Sequence, residues 1–183
     1  MEALECITTR RSIRKFKEEK VSRETLEKIV AAAAYAPSWK NTQVARYHVF
    51  DDPAVKKDIA ENYTLGFSYN TGTIAAAPQV VVVTAVKGRS GMNRDGSVTT
   101  SKGENWYLFD AGAAAQTFCL AAHAYGVGSV IMGIFDAEKV AELLHIPENE
   151  QVVSLISIGY PDEDPKAPPR KDVATLLHFV GEE

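Results

Sequence analysis

Residues 8–16 read TTRRSIRKF. Arg10, Arg11, Arg14 and Lys15 fall within six positions and no acid separates them, in a chain whose formal net charge is −4. Three readings of such a run differ in their chemistry. A solvated basic loop only faces water, the ordinary fate of a charged run. A nucleic-acid surface needs a broader basic stripe, and the acidic total with Glu18, Glu19 and Glu24 close by opposes one. A phosphate pocket needs about two cations and a donor beside them, and the planar fork of Arg matches phosphate oxygens. Ser12 supplies a hydroxyl among the arginines.

A second polar group lies at residues 36–43, APSWKNTQ, where Ser38, Asn41 and Gln43 surround Trp39. Ser and Asn are common in plain capping loops. Amides also donate and accept together, which suits the edge of a uracil-like ring.

Other chemistries are poorly served. There is no G-x-x-x-x-G-K-[ST] sequence, and GVGSVIMG (126–133) has the wrong glycine spacing and follows a helical pattern rather than a strand. His48, His123, His145 and His178 share no ligand spacing, so no metal site is expected. Asp110 and His123 lack the strand–elbow–helix nucleophile of a hydrolase, and no side-chain catalyst is identified. Cys6 and Cys119 stand far apart in no redox or metal spacing, which predicts a reducing, cytoplasmic setting. No secretory signal is read at the start. The apolar stretch 106–125 is interrupted by Asp110, Gln116 and His123, which makes a membrane span costly.

The elements that must carry these residues follow from the pattern. At 183 residues, 45% hydrophobic and 24% charged, the chain suits one globular domain over 1–183. Residues 2–9 predict a short helix. A second begins at Ser22, with Leu26, Ile29, Val30 and Ala33 on one face, and ends before Pro37. VARYHVF (44–50) alternates as a strand, and 51–63 reads as a helix with Pro53 in its first turn. PQVVVVTAV (78–86) is a run apolar enough for a strand covered on both faces. Residues 87–103 predict a polar, mobile loop. Residues 104–125 predict a helix of about 33 Å, apolar nearly all round and so buried on most sides, with Gly126 as its left-handed terminator. A helix over 137–145, a strand over 151–159 and a Pro-rich connector over 160–171 complete the order ααβαβααβ. The fold class is α+β: a mixed β-sheet flanked by helices.

TTRRSIRKF, YAPSWKNTQ, GVGSVIMGIFD and ISIGYPDEDPKAPPR, in that order and spacing, resemble four blocks of the FMN-dependent nitroreductase family. The resemblance runs from about residue 3 to residue 178 and is that of a compact member. It implies a homodimer holding two FMN molecules at the subunit interface, and the all-round apolar helix 104–125 is expected to be buried there. Arg10, Ser12 and Arg14, with Arg11 beside them, would hold the flavin. Arg10 and Ser12 would face the phosphate, Arg14 the ribityl chain and the pyrimidine side of the ring. Arg170 matches a phosphate-binding Arg, whereas a basic position of some relatives is Pro168 here. Pro37, Ser38 and Asn41 would reach the FMN of the other subunit, and Trp39 among them is a further cofactor-binding candidate. Asn70 matches an Asn on the pyrimidine edge, and Thr73 stands where some relatives carry a Lys near the flavin N1. Ile131, Met132 and Gly133 match the turn that passes the flavin N5.

The implied activity is transfer of reducing equivalents from NAD(P)H through FMN to a small electron-poor acceptor, such as a nitroaromatic or a quinone, by a ping-pong mechanism. Two alternatives stay open: a specialised flavin enzyme such as a dehalogenase, and a flavin-binding module without turnover. Residues 62–73 and 87–103, with Phe67, Tyr69 and Trp39, are candidate walls of the acceptor pocket.

Overall fold

The computed structural model describes residues 1–181. The elements are α1 (Ala3–Thr9), α2 (Arg23–Ala33), β1 (Ala45–Phe50), α3 (Pro53–Asn62), α4 (Ser68–Ala76), β2 (Gln79–Val86), α5 (Trp106–Ala124), β3 (Gly128–Met132), α6 (Ala137–Leu143), β4 (Glu150–Gly159) and α7 (Val173–Leu176). The sheet order is β1-β2-β4-β3. All three pairings within it are antiparallel, and the one parallel pairing among the described residues is an isolated bridge between Ser12 and Ser129.

The valine run of β2 explains the layering. Side chains alternate across a strand. Val81 and Val83 therefore join Ile156 and Ile158 of β4 against Ile29 of α2 and Phe118 of α5. Val80 and Val82 face the other way, packing with Leu155 against Ile59 of α3, Ile74 of α4 and Val140 of α6. Helices cover both faces of the sheet, so both faces of its central strands are largely apolar.

Local signals set the helix starts. Ser22 accepts the Thr25 N–H at 3.1 Å. Asp52 accepts the N–H groups of Ala54 and Val55, with Pro53 at the first helical position. Gly126 ends α5 at φ +75°.

Three expectations are revised. Residues 68–76 form α4; SYNTGTIAA carries a mid-helix Gly, three β-branched residues and no side-chain cap, so it lacks an amphipathic signature. GSVIM forms β3, a five-residue strand too short for a periodic signal. Helix α5 is 19 residues, about 28 Å, preceded by a 3₁₀ turn over Gly103–Asn105. It is also less enclosed than its composition predicts. Ala111, Ala114, Ala115, Phe118, Cys119 and Ala122 are buried, while Phe109 is 66% exposed and Leu108 46%.

Candidate active site

The arginine segment is a strap threaded through the sheet's end. Past Thr9 the chain leaves α1 and runs extended. The Ile13 N–H donates to Ser129 O at 3.0 Å, the Lys17 N–H to Tyr160 O at 2.9 Å, and the Asp162 N–H to Lys15 O at 3.0 Å. Glu163 accepts the N–H groups of Arg14 and Lys15 at 2.5 and 3.1 Å. The strap thus lies between the start of β3 and the end of β4. Gly128 makes this approach possible: a Cβ there would stand 2.9 Å from Ile13.

The strap splits its cations between two cavities. Arg10 and Arg11 line one of about 320 Å³ with Thr9, His123, Gly128 and Ser129. Arg11 is spent locally, its Nη1 donating to the carbonyls of Thr8 and Arg10 at 2.7 and 2.8 Å, at the C-terminal end of α1. The Nε of Arg10 is buried with no partner among the described residues. Burial, then the charges of Arg10 and Arg11, hold His123 below the ordinary imidazole range. Burial pushes the Cys119 thiol up, and the Ser129 hydroxyl and Arg10 only partly oppose it.

Arg14 faces the other cavity, of about 410 Å³, with Phe67, Tyr69, Asn70, Thr73 and the turn 130–134. The buried Asn70 donates from Nδ2 to Ile134 O at 2.9 Å, tying α4 to that turn. A Cβ on Gly133 would meet nothing within 4 Å, so the turn leaves open space where a side chain would stand. Ser12 sits on the strap between the two cavities. Arg170 lines neither: it is exposed and donates to Pro168 O at 3.0 Å.

Pro37–Asn41 lie elsewhere. Pro37 and Ser38 line a cavity of about 370 Å³ among α2, β1 and α5. Trp39 and Asn41 line another of about 600 Å³ with residues of the loop 88–96. Within one chain none of these four residues shares a cavity with the strap. Lys40, Asn41 and Gln43 have φ of 45°, 56° and 47°, a left-handed cluster of non-glycine residues of the kind that gathers at functional sites.

Two residues that hold these parts in place have a faint trace in the sequence. Asp110, 3% exposed on α5, accepts the Trp39 N–H at 2.9 Å and the Ser90 hydroxyl at 2.6 Å. Its signal is a lone carboxylate inside an apolar helix, read in the sequence as an interruption and, with His123, as an incomplete hydrolase pair. Glu163 sits in a connector that looked structureless, and nothing local marks it as the acceptor for the strap.

Residues 7–66 and 60–160 match the family described as Nitroreductase family, in two overlapping segments. A protein of Archaeoglobus fulgidus, provisionally named NADH dehydrogenase/NAD(P)H nitroreductase, is 35% identical over 167 residues, 89% of this chain and 87% of that one. The crystal structure of a nitroreductase family protein from Clostridium novyi NT superimposes with a TM-score of 0.75 at 33% identity, covering 92% of this chain and 89% of that one. The NADPH:FMN oxidoreductase of Vibrio harveyi, solved with NAD+, gives 0.80 at 25% identity, covering 98% and 77%. The α+β frame fits these likenesses, and the chain belongs to the nitroreductase family.

Proposed function

We propose that this protein is an FMN-dependent oxidoreductase that draws reducing equivalents from NAD(P)H and passes them to a small electron-poor acceptor, a nitroaromatic or a quinone, by a ping-pong cycle. The working unit is a homodimer of single-domain subunits in the cytoplasm. The observation that carries the reading is the 410 Å³ cavity, where Arg14, Asn70 and a turn with no side chain at Gly133 surround open space. A flat ring fits against a backbone that lacks a Cβ. The partnerless buried Nε of Arg10 fits the same ligand at its anionic end.

FMN, when bound, supplies the hydride chemistry. The chain's residues bind and orient. Arg10 and Ser12 hold the phosphate, and Arg170 reaches it once the C-terminal segment is seated. Arg14 sets a positive charge at the ribityl and pyrimidine side, which favours electron uptake there. Arg11 supports the strap by closing α1. Asn70, donating to Ile134 O, fixes the turn after β3, where a main-chain N–H of Met132 or Gly133 would hold the flavin N5. Pro37, Ser38, Trp39 and Asn41 serve the flavin of the partner subunit, which accounts for their separation from the strap. Phe67 and Tyr69 border the acceptor.

Purified protein should be yellow and should release a ligand of the mass of FMN. It should also oxidise NADPH or NADH faster when menadione or nitrofurazone is present. Colourless protein that binds no FMN overturns the assignment, and bound FMN without NAD(P)H oxidation leaves a flavin-binding module.

A further inference from the structure

The 600 Å³ cavity between the Trp39–Thr42 turn and the loop 88–96 has a charge pattern of its own. Lys40, Arg89 and Arg94 line it, and no acidic residue does. Among the described residues none of these three cations has an ion-pair partner. The nearest acid in sequence, Asp95, is occupied in its own turn, accepting the N–H and the hydroxyl of Ser97 at 3.0 and 2.6 Å. Two further polar atoms on the lining, Trp39 Nε1 and Thr42 Oγ1, are buried with no partner among the described residues. Buried polar groups are nearly always satisfied, so each unpaired one calls for an explanation.

The walls are fixed. Asp110 accepts from Trp39 on one wall and from Ser90 on the other, so one buried carboxylate clips both to α5. Gly91 packs against Trp106 so closely that a Cβ would stand 2.7 Å from that residue's Cβ. Positive φ at Lys40 and Asn41 is the backbone cost of holding this turn.

We infer that this cavity takes the phosphate groups of the nicotinamide dinucleotide that serves as reductant. The inference rests on the proposed function, which sets Trp39 and Asn41 beside the partner subunit's flavin and hence the cavity next to it. Guanidinium forks match phosphate oxygens in shape and charge, and Lys40 adds a third cation to the same lining. Three cations exceed what the single carboxylate of an acidic acceptor needs. A dinucleotide carries at least the two charges of its diphosphate, and NADPH adds its 2′-phosphate.

The test compares wild type, Arg89→Ala/Arg94→Ala and Lys87→Ala/Lys102→Ala, with menadione as uncharged acceptor and 4-nitrobenzoate as anionic acceptor. The last variant removes two charges from the same loop outside the cavity. KM is read for NADPH and NADH, FMN content by absorbance, and 2′,5′-ADP binding by calorimetry. The cavity variant should raise KM for NADPH at least about tenfold, the scale of one lost charge-assisted hydrogen bond. Its FMN content should hold, and the loop control should stay close to wild type. A rise for NADPH alone points the cations at the 2′-phosphate and an equal rise for NADH points them at the diphosphate; both support the inference.

Unchanged KM for both coenzymes overturns it. So does an equal effect of the loop control, or a loss confined to 4-nitrobenzoate as acceptor. Absence of FMN or of turnover refutes the proposed function instead. The 2′,5′-ADP titration then decides the cavity alone, since weakening by the cavity variant supports it and unaltered or absent binding overturns it.

Discussion

Arg10 holds its Nε in the interior with nothing to receive the proton, while its neighbour Arg11 closes the helix behind it. Two adjacent arginines are therefore engaged differently: Arg11 donates to the end of α1 through Nη1, and Arg10 Nε has no partner among the described residues. Arg10→Ala should weaken FMN by about 1.5–3 kcal/mol, the scale of a hydrogen bond to a charged group. Fluorescence titration should also show that the variant loses most of its preference for FMN over riboflavin, which lacks the phosphate. Gly133 gives a second expectation. Its φ is not left-handed and a Cβ there meets no protein atom, so Gly133→Val should fold normally and place its side chain in the cavity. Misplacement of reacting groups by about 1 Å can slow transfer on the order of 100-fold. Stopped-flow reduction by NAD(P)H should fall more steeply than FMN affinity. The chemistry of TTRRSIRKF is legible before any fold is known, because residue type alone suggests an anion. The division between Arg10, Arg11 and Arg14 is not, because it depends on which side of an extended strap each side chain leaves and on Glu163, about 150 residues away in the chain.

Elements were legible where the pattern repeats. The β2 valines announce a strand covered twice, and Ser22, Asp52 and Pro53 mark helix starts by chemistry that acts within three residues. Helix α4 and strand β3 escape because their order comes from packing: Asn70 on Ile134 O, and β3 on the edge of β4. Long-range clips escape for the same reason. Asp110→Ala leaves the Trp39 N–H and the Ser90 hydroxyl without their acceptor, which costs about 1–3 kcal/mol for an unsatisfied buried group. Thermal unfolding should show that loss, and Trp39 fluorescence should shift as its turn loosens.

Acid stability belongs to β4 and its neighbours. Burial pushes Glu150 up, but hydrogen bonds from Thr84 and His48, with the charges of His48 and Arg46, outweigh it and hold the carboxyl below its ordinary range. A depressed carboxylate stabilises the fold above its unfolded pKa, about 4.3, and that contribution disappears as pH falls through the folded value. Denaturant midpoints should therefore drop below about pH 4.5 in wild type, and drop less in Glu150→Gln, whose stability is lower at pH 7.

The single chain presents more apolar surface than one subunit can use. Leu108 and Phe109 stand open on α5, and α7 buries no residue, with Phe179 beyond it 66% exposed. Exposed large apolar side chains of this kind suit an interaction surface. A homodimer that covers α5 and seats the C-terminal segment should bury about 2,000 Å² or more, as obligate interfaces do. Sedimentation at low micromolar concentration should give a single dimeric species; a stable folded monomer contradicts it. Phe109→Asp should break the dimer and release FMN together if Pro37–Asn41 serve the other subunit's ligand, as proposed.

The sulfur atoms follow a different logic. Cys6 and Cys119 are both interior, Cys6 with its thiol donating to Leu120 O at 3.3 Å and Cys119 with its thiol pushed up by burial. Quinones arylate thiolates, and a thiol kept protonated out of solvent is a poor nucleophile. If quinones are its acceptors, as proposed, the protein offers them no exposed thiol. Intact-mass spectra after hours with excess menadione should show an unmodified chain, whereas the denatured protein should gain up to two adducts, one for each of its two cysteines.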